Sequence, residues 1–379
     1  MQKTFLEFFA GIGLMRLGLE QAGWAIQFAN DIDPAKLAMY RANFADADDH
    51  FALGDIHNLS ARNLPSASLA TASFPCNDLS LAGSRAGLKG SQSSAYWGFT
   101  RLLEGMDERK PRIILLENVP GFLSSHGGRD LEAALLELNR LSYAVDTFIL
   151  DAAWFVPHSR QRLFIVGSLE TPDAELAVQE TSGFFESDLR PKALARFIFD
   201  HPGINWRVRP LPTVARTAST LESILENIPA GSEIWWSEER VAYLRAQMSD
   251  RHRELADRMI SGTRYSCGTV FRRVRAGKSM AELRTDGIAG CLRTPRGGSG
   301  RQILFVGGRG DARARLLTGR ECARLMGADD FALTVPLNQA LFGFGDAVCV
   351  PVIAWIARNY LNQIAEDQST ERQLARNTA

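Results

Sequence analysis

Residues 5–13 read Phe-Leu-Glu-Phe-Phe-Ala-Gly-Ile-Gly, a mostly apolar run that ends in a glycine turn. Apolar residues then recur at helical spacing from Leu14 to Leu19, and Gly23 ends that pattern. Glycines between a strand and a helix let the backbone approach a ligand, and the first helical turn offers N–H groups without partners. This stretch therefore predicts the first strand and first helix of an α/β sheet, with a ligand site between them.

Short apolar runs of the same kind continue through the first half of the chain. Strand candidates lie at residues 25–29, 69–74, 113–116, 148–150 and 163–166, and helix candidates at 131–141 and 350–360. Short buried strands that alternate with helices are typical of a parallel sheet covered on both faces. We therefore predict a doubly wound, Rossmann-like α/β domain whose ligands bind where the strands end.

The composition is that of a folded globular protein. The chain has 379 residues, of which 45% are hydrophobic and 23% charged, and this length allows about two domains. No apolar run approaches the roughly 20 residues that cross a bilayer. The five cysteines are too few for a disulfide framework, and no Cys-x-x-Cys or His-Glu-x-x-His spacing indicates a metal site. We expect a reducing compartment and no bound metal.

Basic residues are concentrated in the middle of the chain. The formal net charge is zero, but residues 190–315 hold 23 Lys and Arg against 12 Asp and Glu, and within 262–315 the counts are 12 and 3. A basic region beside an acidic one is typical of a protein that binds a polyanion such as nucleic acid. Scattered solvated arginines would give the same counts, so charge alone favours nucleic acid only modestly.

Carboxylates follow the second strand candidate and the region where a third strand would end. Asp31 comes 20 residues after Gly11, where a carboxylate accepts hydrogen bonds from the ribose hydroxyls of a nucleoside. Asp55 is placed to accept from an adenine amine. The pattern predicts a nucleoside cofactor but does not distinguish NAD from S-adenosylmethionine.

A cysteine stands at the rim of the predicted sheet. Cys76 follows Pro75 directly at a strand end, and residues 80–95 contain five Ser and three Gly. An isolated cysteine is most simply a small buried hydrophobe. A rigidly held thiol beside a stretch able to close as a lid instead predicts a nucleophile.

Acidic and basic side chains follow the next strand candidates. Glu117, with Asn118 beside it, is placed to protonate a ring nitrogen next to such a nucleophile. Arg160 and Arg162 alternate on a strand and so point to one face, where two guanidiniums suit a phosphate and a carbonyl oxygen. A helix cap and a solvated edge strand are the plain structural explanations.

Taken in order, these segments strongly resemble the DNA (cytosine-5) methyltransferase family. The resemblance rests on eight motifs in the family's order and covers nearly the whole chain except its middle. The matching segments are residues 9–13, Asp31, 54–56, Pro75 with Cys76, 117–119, Arg160 with Arg162, 315–327 and 345–352. Residues 293–302 are also similar to a subgroup from bacterial phage-defence islands of the DISARM type.

The resemblance implies a methyltransferase domain at residues 1–185 and 340–379, with a smaller target-recognition domain inserted at 186–339. It implies catalytic roles for Cys76, Glu117, Asn118, Arg160 and Arg162. It implies that S-adenosylmethionine contacts Phe9, Ala10, Gly11, Ile12, Gly13, Asp31, Ile32, Asp55, Ile56, Pro75, Asp346, Ala347 and Val348. It implies that double-stranded DNA contacts Ser80, Ala82, Arg85, Arg293, Arg296 and Arg301.

The same resemblance implies methyl transfer to C5 of a cytosine flipped out of a specific duplex site, through a covalent adduct of Cys76 at C6. We expect a cytoplasmic enzyme that is catalytically monomeric. Restriction-modification or phage defence, with or without partner subunits, is the expected setting.

Four positions depart from the family's pattern. Asn77 follows the nucleophile where Gln is usual, His158 stands for a Gln beside the paired arginines, Asp346 replaces an Asn, and Leu14 replaces a frequent Gly. None of these changes removes a group that the chemistry needs. They bear instead on cofactor contacts and loop geometry.

Three other functions fit part of the sequence. A transfer-RNA cytosine methyltransferase would share the chemistry, but the Cys-Phe-Thr signature of that branch has no close copy here. A catalytically silent DNA-binding relative would be expected to lose at least one of Cys76, Glu117 and the two arginines. A nucleoside-binding oxidoreductase would explain Gly11 and Asp31 but leaves Cys76 without a role.

Overall fold

The computed structural model describes residues 2–74, 95–170, 187–275, 277–294 and 300–366. Its larger sheet has seven strands in the order β3-β2-β1-β4-β5-β7-β6. These strands are β1 (Thr4–Phe8), β2 (Ala25–Asp31), β3 (Phe51–Leu53), β4 (Leu69–Ala72), β5 (Ile113–Asn118), β6 (Ala144–Asp151) and β7 (Gln161–Ser168). Every strand candidate from the sequence thus falls on a strand of this sheet.

The helices lie between and after these strands. They are α1 (Leu14–Glu20), α2 (Pro34–Asn43), α3 (Ala47–His50), α4 (Ala95–Gly105), α5 (Arg129–Arg140), α6 (Lys192–Asp200), α7 (Leu221–Ile224), α8 (Glu238–Ala246), α9 (Asp250–Ser261), α10 (Gly319–Leu325), α11 (Leu337–Asp346) and α12 (Val350–Ile356). A π-helix at Ala357–Leu361 continues α12. The predicted helices at 131–141 and 350–360 therefore correspond to α5 and to α12 with its π-helical extension.

The direction of the last two strands departs from the prediction of a parallel sheet. Strands β1 to β5 are parallel, whereas β7 is antiparallel to both of its neighbours, β5 and β6. Only residues 152–160 join β6 to β7, and a parallel pair needs a crossover of a dozen residues or more. The doubly wound α/β class is confirmed, with a parallel centre and this one reversed strand.

Alternating side chains of the sheet fill the two faces. Phe5 and Leu115 pack with α1 and α12, while Leu6 and Leu116 pack with α4 and α5. Each of these four side chains is at most 1% exposed. Burying one such side chain stabilises the fold by about 1.5–3 kcal/mol, so the central strands fix the sheet and its polar carboxyl-terminal edge.

The basic middle of the chain contains a second sheet, which the sequence pattern did not predict. Strands β8 (Ser266–Arg275), β9 (Lys278–Arg284), β10 (Ile303–Gly308) and β11 (Asp311–Leu316) form an antiparallel sheet in the order β11-β10-β8-β9. Val241 and Leu244 of α8 and Ala256 of α9 pack with Val270 and Phe305 of this sheet. It thus has a small hydrophobic core of its own.

Residues 187–209 pack with the larger sheet. Leu194 and Ile198 of α6 share a core with α4 and α5, and Trp206 forms a β-bridge with Val145 of β6. Arg190 forms a buried ion pair with Asp146. The division of the chain at residues 186 and 339 stays a prediction. Because of these contacts, a truncation that tests it should keep residues 187–209 with the larger sheet.

Although no uninterrupted apolar run in the sequence is long enough to cross a bilayer, the stretch Leu337–Glu366 passes a test of length and mean hydropathy for a membrane span. Two-thirds of its most apolar part, 67%, is buried inside the protein. Ile353 and Tyr360 within it are at most 2% exposed and belong to the same core as α1. Core helices of globular proteins pass the same test, and the packing assigns this stretch to the core.

Candidate active site

The loop between β1 and α1 has a backbone that only glycine adopts easily. Gly11 and Gly13 have φ of 57° and 86°, in the left-handed region. A Cβ on Gly13 would lie 2.3 Å from the ring of Phe44, so any larger residue would clash as well as strain the turn. These contacts bring α2 close against the loop and leave the start of α1 facing the sheet edge.

Asp31 is held rigidly beside this loop. The Gly11 N–H donates to Asp31 Oδ2 over 2.8 Å, and the Asp33 N–H donates to Asp31 Oδ1 over 2.9 Å. A carboxylate has about four lone-pair sites, so both oxygens can still accept hydrogen bonds from ribose hydroxyls. The geometry fits the role that the sequence predicted for Asp31.

Exposed apolar side chains stand next to Asp31. Ile32 is 65% exposed and Leu53, which pairs with Asp31 across the sheet, is 48% exposed. An aromatic base laid on these side chains would remove them from water. The Asp55 carboxylate accepts from the His57 N–H over 2.9 Å, while Ile56 is buried in the core. The residues present therefore fit a nucleoside cofactor.

The segment after α11 returns to this region. Asp346 forms an ion pair with Lys36 of α2, with Nζ to Oδ2 at 2.8 Å. Val348 is 3% exposed and packs in the core, so its side chain belongs to the core and does not line the site. Ala347 is half-buried, and its carbonyl accepts from Arg160. The structure thus brings the first and last predicted cofactor segments together.

Glu117 and Arg162 form an ion pair at the carboxyl end of β5. Arg162 Nε lies 2.7 Å from Glu117 Oε1, and the two side chains are 15% and 8% exposed. Asn118 Nδ2 donates to the Phe74 carbonyl over 3.3 Å. Phe74 is the last described residue before Pro75 and Cys76, and this bond places it next to the residue that follows Glu117.

Arg160 is almost fully buried and binds backbone carbonyls. Its Nη1 donates to the Leu292 carbonyl over 2.9 Å, and its Nη2 donates to Gly345 and Ala347 over 2.9 and 2.6 Å. The side chain is therefore a tie between β7, residues 291–292 and the segment after α11. This geometry favours a positioning role for Arg160 over the contact with a phosphate or a carbonyl oxygen that the sequence suggested for the two arginines.

His158 explains one departure from the family's pattern. Its Nδ1 contacts the Leu325 carbonyl at 3.1 Å, and its Nε2 accepts from the Leu292 N–H at 3.0 Å. Burial, reinforced by Arg160 and Arg162, holds the pKa of His158 well below its ordinary value. A neutral imidazole with one donor and one acceptor can make the same two contacts as a Gln amide.

Arg293 lies at the mouth of this cluster. It is exposed, and its backbone packs directly on Gly345. Burial acts to raise the pKa of the nearby Cys291 thiol, but the Arg160, Arg162 and Arg293 guanidiniums outweigh it and lower that pKa. Three guanidiniums therefore act on the surroundings of Cys291.

Several predicted site residues lie outside the described residues. These are Pro75, Cys76, Ser80, Ala82, Arg85 and Arg296. Arg301 is half-buried beside the second sheet. Across the described ranges, no group of three or more His, Cys, Asp and Glu side chains has an arrangement that could hold a metal ion.

Lys36 and Cys291 belong to the site but were missed by sequence reasoning. Cys291 lies 3.5 Å from Arg160 Nη1. Lys36 carried no signal because its partner Asp346 is at the other end of the chain. The one available clue was the charge of Asp346, which departs from the family's Asn and calls for a neighbouring cation.

Comparison with known sequences gives a full-length match. The C-5 cytosine-specific DNA methylase family matches residues 3–362. The chain is 28% identical to the Type II methyltransferase M.DsaV of Dactylococcopsis salina over 96% of this chain and 87% of that protein. It is 26% identical to the Type II methyltransferase M.HhaI of Haemophilus parahaemolyticus over 94% of this chain and 93% of that one.

Solved structures show the same fold. The Dnmt2 methyltransferase of S. pombe superimposes with a TM-score of 0.62 over 95% of this chain and 98% of that chain, at 18% identity. At this identity the likeness concerns the fold alone. It extends over both sheets, since nearly the whole of each chain is covered.

Proposed function

Because this chain belongs to the C-5 cytosine-specific DNA methylase family, we propose that it transfers a methyl group from S-adenosylmethionine to C5 of cytosine in duplex DNA. The observation that carries the proposal is the convergence at the end of β5. Glu117 is paired with Arg162 there, and Asn118 binds the carbonyl of Phe74, two residues before Cys76. We propose that Cys76, two residues after Phe74 in the sequence, acts as the nucleophile beside this pair, with Glu117 as the acid and Arg162 as the guanidinium.

Cytosine C5 is a weak nucleophile and needs activation. The Cys76 thiolate would add to C6, which breaks the ring's aromaticity and makes C5 enamine-like. A free thiol has a pKa of about 8.5, so this step requires cationic neighbours that favour the reactive thiolate. S-adenosylmethionine, when bound, supplies an electrophilic methyl group. Loss of the C5 proton and expulsion of Cys76 then restore the aromatic base.

Glu117 would take a proton from solvent as the entering base displaces its contact with Arg162, and would pass that proton to cytosine N3 as negative charge builds on the ring. Its pairing with Arg162 means that the entering base must share or displace this contact. Arg162 is then free to donate to the cytosine O2 while it keeps its place on β7. Asn118 would fix the wall of the base pocket through its bond to Phe74.

The target cytosine must leave the helical stack, because C6 cannot be reached inside a duplex. We propose that residues 80–95, which include Ser80, Ala82 and Arg85, contact the flipped base and the gap it leaves. Arg293, Arg296 and Arg301 are proposed to bind phosphates or guanine edges. We place the enzyme in the cytoplasm, acting as a monomer in restriction-modification or phage defence.

The test is methyl transfer from labelled S-adenosylmethionine to mixed-sequence duplex DNA and to total RNA, side by side. Base-resolution sequencing then maps the product. Label at C5 within one recurring DNA motif, absent with Cys76→Ala, supports the proposal and supplies the target site. Label confined to RNA would move the function to transfer-RNA methylation. Label in neither, despite demonstrated cofactor binding, would favour a missing partner or a silent DNA-binding relative.

A further inference from the structure

The Lys36 ammonium lies in the cleft between α2 and α11, in contact with one carboxylate and under the electrostatic influence of two more. Lys36 forms an ion pair with Asp346 at 2.8 Å. Burial acts to lower the pKa of Lys36, but Asp31, Asp346 and Asp33 together outweigh it and raise that pKa. The charge of Lys36 thus links three acids: Asp31, which is predicted to bind the ribose, Asp33, which caps α2, and Asp346, which ends α11.

The cleft is open to a ligand on this side. Asp33 and Lys36 of α2 line it opposite Gln339 and Phe342 of α11. The Lys36 side chain is 19% exposed and that of Asp346 is 43% exposed. A half-exposed ion pair of this kind contributes only about 0–1 kcal/mol to stability, so stability alone gives no strong reason for it.

The charge count of the cleft depends on Asp346. The family's usual Asn at this position is neutral, so Asp346 adds one negative charge that Lys36 offsets. Asp31, Asp33, Asp346 and Lys36 together leave two net negative charges. A net negative cleft stabilises a cation and gives nothing to a neutral group of the same shape.

We propose that Lys36 is a further residue of the cofactor site, which offsets part of the negative charge of this cleft and thereby limits its preference for the cationic sulfonium of S-adenosylmethionine over the uncharged thioether product. The inference rests on the proposed function, since it takes S-adenosylmethionine as the cofactor. The net negative charge of the cleft favours release of the product, because methyl transfer converts the cationic sulfonium into a neutral thioether.

The test is calorimetric titration of the protein with S-adenosylmethionine and with S-adenosylhomocysteine at low ionic strength. The quantity of interest is the ratio of the thioether Kd to the sulfonium Kd. Lys36→Met makes the cleft more negative and should raise this ratio about three- to tenfold. Asp346→Asn makes the cleft less negative and should lower the ratio by a similar factor.

Two matched variants separate charge from packing. Lys36→Arg keeps the charge and should keep the wild-type ratio. The double variant Lys36→Met with Asp346→Asn has the same net charge as the wild type, so its ratio should return to the wild-type value even if both affinities fall. Half-molar salt should compress all of these differences.

Two results would overturn the inference. If every variant loses affinity for both compounds equally and the ratio stays constant, Lys36 has a structural role only, while the proposed function stands. If the wild-type protein binds neither compound, the inference and the proposed cofactor fail together.

Discussion

The two sheets of this protein hold their functional groups in different ways. In the seven-stranded sheet, the polar side chains follow strand ends and are fixed by nearby backbone, as Asp31 is by the N–H groups of Gly11 and Asp33. In the four-stranded sheet, basic side chains lie along the strands, and Arg273 contacts Glu282 on the neighbouring strand. The first arrangement suits a reaction at a single site, and the second suits many contacts with an extended anionic ligand.

The largest expected effect would come from the first sheet. Cys76→Ala should lower methyl transfer by at least about a thousandfold, because the covalent step then has no nucleophile. Affinity for S-adenosylmethionine should change little. Single-turnover transfer of labelled methyl and calorimetric titration measure the two quantities. Retention of full activity would mean that the reaction does not pass through a Cys76 adduct.

The second sheet should show its largest effect in stability. Arg315 of β11 and Glu321 of α10 form an ion pair at 2.6 Å, with side chains 2% and 0% exposed. Arg315→Met leaves Glu321 buried without its cation and should cost about 3–5 kcal/mol of unfolding free energy. Urea unfolding measures this. The exposed pair Arg196 and Asp200 is the control, and Arg196→Met should change stability by less than about 0.5 kcal/mol.

Glu117→Gln tests the acid at the strand end. A Gln has nearly the same shape but no acidic proton, so turnover should fall about a hundredfold. Cofactor affinity should stay within about twofold, because Glu117 contacts Arg162 rather than the cofactor loop. Equal losses in turnover and in cofactor affinity would indicate that Glu117 supports the fold of the site instead.

Glu7, in the middle of β1, gives a prediction about pH. Burial raises the pKa of this carboxyl to about 8, against the opposing effect of Arg16 and with help from Glu20 and Asp31. Between about pH 4.5 and 8 the folded state holds a proton that the unfolded state has lost. Stability should therefore fall by about 1.4 kcal/mol per pH unit as pH rises through this window.

Glu7→Gln removes this titration. Urea unfolding from pH 5 to 9 should give a flatter profile for the variant, with its largest stabilisation relative to wild type at pH 8 and above. Parallel profiles for the two proteins would show that Glu7 is ionised in the folded state. This titration belongs to the seven-stranded sheet, because Glu7 is a buried residue of β1.

The smallest effect should come from a single surface arginine. Arg293→Ala should weaken DNA binding by about three- to tenfold and reduce the slope of log affinity against log salt by about one. Titration of labelled duplex at several salt concentrations measures both quantities. A loss of turnover without a change in the salt slope would indicate that Arg293 acts in the reaction and not in DNA binding. The contrast between the two sheets would then be weaker.

The sequence predicted the larger sheet well because each strand there is a short apolar run followed by a polar residue. Asp31 and Glu117 could be placed on one edge since the carboxyl ends of parallel strands lie together. The direction of β7 could not be predicted from apolar runs, which carry no sign of strand polarity. The second sheet was missed because Arg and Gly interrupt the alternation in residues 266–284.

Side-chain partners were predicted less well than strand ends. Arg160 binds carbonyls of residues 292, 345 and 347, and Lys36 binds Asp346. Both sets of contacts join segments that are far apart in the sequence. Spacing within one segment reports periodicity and turns, and it contains no information on which distant backbone will lie within reach.

The tie made by Arg160 bears on how this protein could acquire a new DNA target. Its partner in the middle of the chain is the carbonyl of Leu292, and every amino acid carries that group. Side chains of residues 293–301, between Leu292 and β10, can therefore be exchanged by mutation or by grafting while the anchor to the active site is kept. We expect chimaeras joined just after Leu292 to keep their catalytic geometry, and joins between Arg160 and Leu292 to need matching parents.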